Sequence, residues 1–368
     1  MRQPYADRRE RAQERLRERG ADAAVAYPGP NLQYFTGFRG EPVDRFHVLY
    51  LPAEGDATLV TPDGYLTQAR KNASADRFRT VAGNDPEAVA TAVADLFGDG
   101  DRLLIDDDAL YALTGSLHAA VGTESIQSAA PLFGLMRRRK EQSEVAALKR
   151  SAAVADEVSE TVRALGTEAI GMTEAELATA IRRELHARGA RGVAFDVVVG
   201  SGPNGADPAL RFSDREICAG EPVVVDFGCF IDSYASDQTR TVVFDGTPPA
   251  PFEDVHDAVL DALDAGVAAA EPGATAADVD AAARSVLAER GYGEHFTHPT
   301  GHGVGLASHE PLSIAEGDTT TLEEGMVFSI EPGAYFEDKF GVRIEDLVVL
   351  TEDGCERLND SPRTWKPL

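Results

Sequence analysis

The stretch His298-Pro-Thr-Gly-His-Gly-Val-Gly-Leu-Ala-Ser-His309 places three histidines and three glycines within twelve residues. The whole chain has only eight histidines in 368 residues, so this clustering stands out. Imidazole serves both as a metal ligand and as an acid–base group near neutral pH. Glycine lets the backbone approach an ion or a substrate closely. The stretch therefore predicts a functional site whose other members lie elsewhere in the chain.

Four acidic residues with apolar, β-rich surroundings are candidates for those other members. Asp226 follows three valines, Asp237 comes eleven residues later, and Glu331 and Glu345 lie at or within two further apolar strands. A buried carboxylate is costly unless it has a partner. A strand, a turn and a returning strand would set Asp226 and Asp237 side by side. Each acid alone is typical of a satisfied structural carboxylate, but all four together with His302 predict a metal site.

The charge of this ligand set indicates how many ions it holds. Four carboxylates and one imidazole carry more negative charge than one divalent ion needs, whereas two ions about 3.5–4 Å apart would balance it. Oxygen ligands with one nitrogen, and no thiolate in these motifs, favour Mn²⁺ or Co²⁺, with Zn²⁺ as an alternative. We therefore expect two divalent metal ions as cofactors.

The composition is strongly acidic and poor in lysine. The formal net charge is −27, the pI is about 4.6, and only five of the 35 basic residues are lysines. Such a surface repels nucleic acid and anionic membranes, so we expect neither as a partner. The composition also indicates a high-salt cytoplasm, where screening removes most of the self-repulsion. Ordinary solubilisation by charge is the alternative.

Cysteine usage and hydropathy point to a cytoplasmic protein. The three cysteines form no C-x-x-C pair, which is typical of a reducing compartment. The sequence contains no apolar run of about 18 or more residues, so we expect no transmembrane helix. The first twenty residues are rich in Arg and Glu, so they do not read as a secretory signal.

The order of predicted elements indicates two domains. Strands and helices alternate over residues 1–132, which predicts a small α/β domain. The basic run Arg137-Arg-Arg-Lys140 marks a shift in composition, and we expect a linker over 133–142. Residues 143–368 combine amphipathic helices with β-rich segments joined by turns. This second part is expected to be α+β, with a largely antiparallel sheet covered by helices.

Five motifs of the second part occur in an order that is similar to a known family. They are V-D-F-G, S-D-x-T-R, H-x-T-G-H-G-V-G-L-x-x-H-E-P, S-I-E-P-G and V-R-I-E-D, and they extend over residues 222–350. The chain thus resembles the pita-bread metallopeptidases, in the branch of Xaa-Pro aminopeptidases and prolidases. Asn31–Phe38 and Arg139-Lys140-Glu141 resemble the N-domain signature and the interdomain junction of that branch. The resemblance implies a pita-bread (creatinase/aminopeptidase) fold preceded by a smaller creatinase-type N-terminal α/β domain.

The resemblance also implies metal ligands. Asp226 would chelate one ion, His302 and Glu331 would hold the other, and Asp237 and Glu345 would bridge them. Glu331 would also shuttle a proton between the attacking water and the leaving amine.

Three further side chains match family positions that act on the substrate or the ligands. His309 would stabilise the substrate and the tetrahedral intermediate. His298 would line the active site, with a structural hydrogen bond as an equal alternative, and Arg343 would orient carboxylates. The implied enzyme is a homodimeric Xaa-Pro dipeptidase or aminopeptidase acting on short peptides.

One position departs from the family pattern. After S-G-P-N the family has x-A-x-P-H, whereas this chain has Ala209 at the histidine position. Losing a hydrogen-bond donor near the scissile amide lowers a rate by on the order of 10²-fold or more. Alternatives therefore stay open: a weakly active homologue, or a related C–N hydrolase acting on a non-peptide amide or a cyclic amidine such as ectoine. A binding module without activity is disfavoured, because it has no need of so costly a cluster of acids.

Overall fold

The chain divides into two units between Arg137 and Arg138. The computed structural model describes residues 3–40, 46–98, 101–122 and 125–367. Among these residues, no helix combines the length and the apolar composition needed to cross a bilayer. Each unit has its own sheets and its own buried apolar cluster.

The first unit is a six-stranded mixed sheet with helices. Its strands are β1 Ala23–Ala26, β2 Val48–Pro52, β3 Thr58–Pro62, β4 Arg77–Val81, β5 Leu103–Ile105 and β6 Ile126–Ser128. Its helices are α1 Gln3–Arg19, α2 Pro30–Thr36, α3 Leu66–Asn72, α4 Pro86–Ala94, α5 Tyr111–Val121 and α6 Ala130–Arg138. The strand order is β4-β3-β2-β1-β5-β6, in which β2 pairs antiparallel with both neighbours and the other pairs are parallel. The central strand β1 is buried along its whole length, which explains why it reads as an unbroken apolar run.

Helix α6 occupies part of the predicted linker. Residues 133–138 are helical, and Leu132, Phe133 and Met136 are buried apolar side chains of the first unit. The non-helical connection is thus short, from residue 139 to 141. The domain limits 1–132 and 143–368 stay a prediction, and the division after Arg137 falls inside the predicted linker.

The second unit combines four long helices with antiparallel sheets. Its helices are α7 Gln142–Arg163, α8 Glu174–Ala187, α9 Phe252–Ala269 and α10 Ala276–Glu289. Its strands are β7 Val198–Ser201, β8 Val223–Phe227, β9 Phe230–Ile231, β10 Tyr234–Ala235, β11 Gln238–Val242, β12 Gly301–Gly303, β13 Glu310–Ile314, β14 Val327–Ile330, β15 Gly333–Phe336, β16 Phe340–Arg343, β17 Asp346–Thr351 and β18 Gly354–Arg357. One sheet has the order β11-β8-β7 and the other β13-β12-β14-β17-β18, with β9–β10 and β15–β16 as separate ribbons. All of these described pairs are antiparallel, as the sequence predicts for this half.

Helix capping and close packing hold this unit together. Thr173 and Glu176 form the capping box that begins α8, and Thr275 and Asp278 form the one that begins α10. The apolar face of α9 packs on the five-stranded sheet, together with α10. A Cβ on Gly266 of α9 would lie 2.9 Å from Ile330, so glycine allows this helix to approach β14 closely. This packing supports the strand that ends beside Glu331.

Candidate metal centre

Two antiparallel strands bring Asp226 and Asp237 together. Asp226 lies in β8 opposite Thr239 of β11, and Asp237 directly precedes β11. The small ribbon β9–β10 makes the turn between them. The structure thus has the strand, turn and returning strand that the sequence predicts. Asp237 is almost wholly buried.

His302 and Glu331 come from neighbouring strands of the other sheet. The Nε2 atom of His302 in β12 lies 3.3 Å from Oε1 of Glu331 and 3.7 Å from Oδ2 of Asp237. The Nδ1 atom of His302 lies 3.2 Å from the Gly303 carbonyl oxygen, which can only accept a hydrogen bond. This contact places the proton on Nδ1 and leaves Nε2 free to bind a metal.

Close backbone packing orients this pair of strands. A Cβ on Gly301 would lie 1.9 Å from the Ser329 carbonyl oxygen, so only glycine lets β12 and β14 meet here. The Ser329 hydroxyl accepts from the His302 backbone N–H and donates to Glu331 Oε1, at 3.0 Å and 3.1 Å. The glycines of the opening stretch thus serve strand packing beside the site.

Glu345 reaches the same place from the segment between β16 and β17. Its backbone N–H donates to the Thr239 carbonyl oxygen, and its Oε2 accepts from the Thr239 hydroxyl at 2.8 Å. Within the described part of the chain, its buried Oε1 has no hydrogen-bond partner, and neither has Oδ1 of Asp226. An orphaned buried carboxylate oxygen is unfavourable unless a cation or a proton meets it.

The acids and the imidazole form a cluster with the geometry of a metal site. Asp237, His302 and Glu345 each offer a ligand atom, and these atoms lie within 4.8 Å of one another. Burial, followed by the charges of neighbouring carboxylates, raises the pKa of Asp237 and of Glu345 well above the usual value. Burial also raises the pKa of Glu331 to about 7, although Arg343 acts against it. Crowded carboxylates of this kind need cations to stay ionised together.

A hydrogen-bonded chain links the cluster to His298. Arg343 donates to Oδ2 of Asp226 at 2.7 Å, to the Thr239 hydroxyl at 3.1 Å and to the Tyr335 hydroxyl at 2.9 Å. The Tyr335 hydroxyl lies 2.9 Å from Nε2 of His298. Burial, and then the charge of Arg343, lowers the pKa of His298 to about 4, so its ring is neutral at pH 7 and accepts from the tyrosine.

A second anchor holds the segment that carries the first histidine. Asp280 of α10 is buried, and its Oδ1 accepts from the backbone N–H and the hydroxyl of Thr300, at 3.2 Å and 2.7 Å. Its Oδ2 accepts from Arg284, whose other nitrogens donate to the carbonyl oxygens of Phe296 and His298. The Thr300 carbonyl oxygen in turn accepts from the Glu331 backbone N–H at 2.7 Å.

A cavity of about 530 Å³ opens onto the cluster. All eight residues singled out in the sequence line it, and they are Asp226, Asp237, His298, His302, His309, Glu331, Arg343 and Glu345. The ring of His309 stacks on that of His302, with centroids 3.6 Å apart and planes 19° apart. Partial burial and the neighbouring His302 lower the pKa of His309, which makes it neutral at pH 7.

Ala209 lines the cavity at the position where the family pattern has histidine. Phe195 and Pro208 line it as well. The backbone N–H of Ala209 donates to Oδ1 of Asp207 at 2.9 Å. Both residues belong to the connection that follows β7. The methyl group itself has no hydrogen-bonding capacity, so this part of the wall is apolar.

Sequence reasoning missed the side chains that connect the site residues. Thr239 joins Glu345 to Arg343, and Tyr335 joins Arg343 to His298. Asp280 and Arg284 support the histidine segment. A signal was present for two of them, since Thr239 lies within S-D-x-T-R and Tyr335 lies two residues past S-I-E-P-G. Asp280 and Arg284 have helical i,i+4 spacing, which on a sequence reads as an ordinary surface pair.

Each of the two units matches a known protein family. Residues 146–352 match metallopeptidase family M24, and residues 8–139 match the creatinase/prolidase N-terminal domain. The structure of dipeptidase PepE from Mycobacterium ulcerans is 38% identical with a TM-score of 0.90, over 99% of this chain and 97% of that one. Prolidase from Thermococcus sibiricus is 34% identical with a TM-score of 0.92, over 99% of both chains. Xaa-Pro dipeptidase from Bacillus anthracis is 32% identical with a TM-score of 0.89, over 99% of this chain and 100% of that one.

Proposed function

Because the chain belongs to metallopeptidase family M24, with a creatinase-type N-terminal domain before a pita-bread domain, we propose that it hydrolyses the bond before proline in Xaa-Pro dipeptides. Its relatives of known structure include a dipeptidase, prolidases and an Xaa-Pro dipeptidase, which supports a metal-dependent peptidase of this substrate class. The observation that carries the proposal is the buried acid–imidazole cluster at the base of a cavity, with two orphaned carboxylate oxygens.

The residues fit two divalent ions. Asp226, Asp237, His302, Glu331 and Glu345 would hold these ions. Manganese or cobalt suits this oxygen-rich set, and zinc is also compatible with it. Bound there, such ions would supply Lewis-acid polarisation of the scissile carbonyl and would lower the pKa of a water molecule.

The chain's own side chains then move protons and hold the substrate. Glu331 takes a proton from the attacking water and delivers it to the leaving proline nitrogen. His309, neutral and exposed to the cavity, donates a hydrogen bond to the carbonyl oxygen as negative charge develops there. Arg343 keeps Asp226 oriented, and His298 supports Tyr335 from the opposite side.

Ala209 leaves His309 as the imidazole that faces the scissile bond. With Phe195 and Pro208, it forms an apolar wall that suits a proline ring or another apolar group. The missing donor is expected to lower the turnover number rather than to abolish the reaction.

Further properties of the protein belong to the same proposal. We propose a cytoplasmic homodimer from a high-salt environment, without nucleic-acid or membrane partners. Three free cysteines support the reducing compartment. The net charge of −27 supports the high-salt environment and speaks against anionic partners.

A panel of substrates tests the proposal. The protein is loaded with Mn²⁺, Co²⁺ or Zn²⁺ in high salt and assayed on Xaa-Pro dipeptides, Xaa-Pro tripeptides and ectoine. Hydrolysis of the dipeptides, with two ions per chain by elemental analysis, is the expected result. Cleavage of tripeptides in preference would make it an aminopeptidase. Turnover of ectoine alone would replace the peptidase proposal, and a chain that binds no metal would overturn the mechanism.

A further inference from the structure

Lys140 and Glu310 form a buried ion pair within the second unit. The Nζ atom lies 3.1 Å from Oε2, and the two side chains are only 2% and 3% exposed. The Nζ atom of Lys140 also donates to the Arg138 carbonyl oxygen at 3.3 Å. The Lys140 backbone N–H donates to the Gly325 carbonyl oxygen at 2.7 Å. A buried pair persists only where geometry and additional hydrogen bonds offset desolvation, so both groups are held in place.

The other oxygen of Glu310 organises the loop between β12 and β13. Oε1 accepts from the backbone N–H of Leu306 at 2.9 Å and lies 3.4 Å from that of Ala307. A Cβ on Gly305 would lie 2.6 Å from this oxygen, so glycine is needed for the loop to close on the carboxylate. The Gly305 N–H donates to the Ala307 carbonyl oxygen at 3.0 Å and completes the turn.

His309, the residue directly before Glu310, connects the ordered loop with the cavity. His309 ends the bend over residues 305–309, and Glu310 is the first residue of β13. Glu310 is buried, whereas His309 faces the cavity and stacks on His302. The ion pair, the loop and the imidazole are therefore one connected structure.

We propose that Lys140 is a positioning residue: through Glu310 it holds the 304–309 loop so that the His309 ring stays against the cavity. This inference rests on the proposed function, because that function assigns His309 its contact with the substrate. It also gives a role to one member of the basic run 137–140, which the sequence suggests is only a linker or a helix start. The neighbouring Arg139 instead pairs with Glu323 at the surface, where both side chains are more than half exposed.

A kinetic cycle tests the coupling between Lys140 and His309. Lys140→Met removes the charge and keeps the length of the side chain, and Lys149→Met is the matched control, because Lys149 pairs with Glu356 at 45% and 51% exposure. We expect kcat/KM to fall by about 10–100-fold in Lys140→Met, with the metal content unchanged, and by less than about twofold in the control. In a His309→Ala background the same substitution should cause no further loss. An equal loss in both backgrounds would overturn the positioning role.

A spectroscopic arm separates this inference from the proposed function. The His309 imidazole resonance of the ¹⁵N-histidine-labelled, Zn²⁺-loaded protein is assigned with His309→Gln. The chemical shift of this resonance should change in Lys140→Met and stay the same in Lys149→Met, whichever substrate the protein cleaves. An unshifted resonance would overturn the inference, whereas a shift in a protein that cleaves no Xaa-Pro peptide would overturn only the proposed function. If Lys140→Met does not fold, Lys140→Met with Glu310→Gln removes both charges together and takes its place, with the same expected results.

Discussion

Thr239 and Arg343 show how single residues hold the carboxylates of this site. The Thr239 hydroxyl accepts from Arg343 and donates to Glu345, and Arg343 also donates to Asp226. Each of these acids uses one oxygen on the protein, and its other oxygen is buried and without a partner in the described structure. This division of oxygens supports the proposed metal centre over a cluster of structural acids.

At the residue scale, Glu331→Gln separates the proton shuttle from the fold. The amide keeps the size of the side chain and an oxygen for the Ser329 hydroxyl, but it cannot take up a proton from water. We expect kcat to fall by about 10²–10⁴-fold, with a melting temperature close to that of the parent. Steady-state kinetics and thermal unfolding check this.

A control variant and a measurement of the metal content are needed to interpret that result. Glu337→Gln alters an exposed glutamate a few residues away and should leave kcat within about twofold. Elemental analysis shows whether Glu331→Gln still carries both ions. An active variant with full metal content would remove Glu331 from the shuttle role.

At the element scale, the ends of strands and one helix determine the shape of the site. Asp226, Glu331 and Glu345 lie in or beside strands of both sheets, so the ligands meet only when the sheets have formed. Helix α10 adds the Asp280–Thr300 contact, which leads through the Thr300 carbonyl to the backbone of Glu331. Helix α10 contains no site residue, yet through Thr300 it helps to position the backbone of Glu331.

Asp280→Ala is expected to loosen this connection. The substitution leaves the Thr300 hydroxyl and N–H without their acceptor and Arg284 without its buried partner. We expect the free energy of unfolding to fall by about 2–3 kcal/mol, together with a loss of kcat/KM. Asp261→Ala removes a half-exposed pair with Arg290 and should change stability by less than about 0.5 kcal/mol. Denaturant unfolding compares the two, and equal effects would contradict the anchoring role of α10.

At the scale of the whole molecule, electrostatics link stability to metal and pH. The chain carries a net charge of −27, and several of its carboxylates lie close together in the buried cluster, where they repel one another. Bound ions relieve that local repulsion, whereas salt screens the surface charge. The two contributions are separable because only the first depends on the ligand residues.

The buried carboxylates should make the metal-free protein less stable as the pH rises from about 5 to about 7.5. Burial raises the pKa of Glu331 to about 7 and raises that of Asp237 well above its usual value, while both are near 4 in the unfolded chain. In this window the folded protein keeps carboxyl protons that the unfolded chain has lost, so the contribution of these groups to the free energy of unfolding falls with rising pH. Burial lowers the pKa of His298 and of His309 to about 4, and these two rings contribute in the opposite direction up to about pH 6.5. Metal at about 100 times its Kd should restore about 2.7 kcal/mol.

Denaturant midpoints in high salt, with chelator or with Mn²⁺, measure both effects. High salt suppresses the contribution of the surface charge. In chelator, the free energy of unfolding of Glu331→Gln should fall less with rising pH than that of the parent, because one of the titrating carboxyl groups is gone. Parallel curves for the two proteins would contradict the assignment of the effect to this cluster.

The sequence by itself determined the family, the α+β character of the second half and the eight polar residues that were singled out and that line the cavity. These follow from local patterns, since glycines, histidines and acids within apolar strands are visible one residue at a time. The motifs are also contiguous, so their order along the chain carries the resemblance.

Only the tertiary structure decided which side chains support that set. The Lys140–Glu310 pair spans 170 residues of sequence, and the Arg343–Asp226 contact spans 117. Partners this distant leave no periodicity in the sequence, because strand register and helix packing bring them together. The same reason explains why helix α6 extends into the predicted linker, since Leu132, Phe133 and Met136 are buried within the first unit.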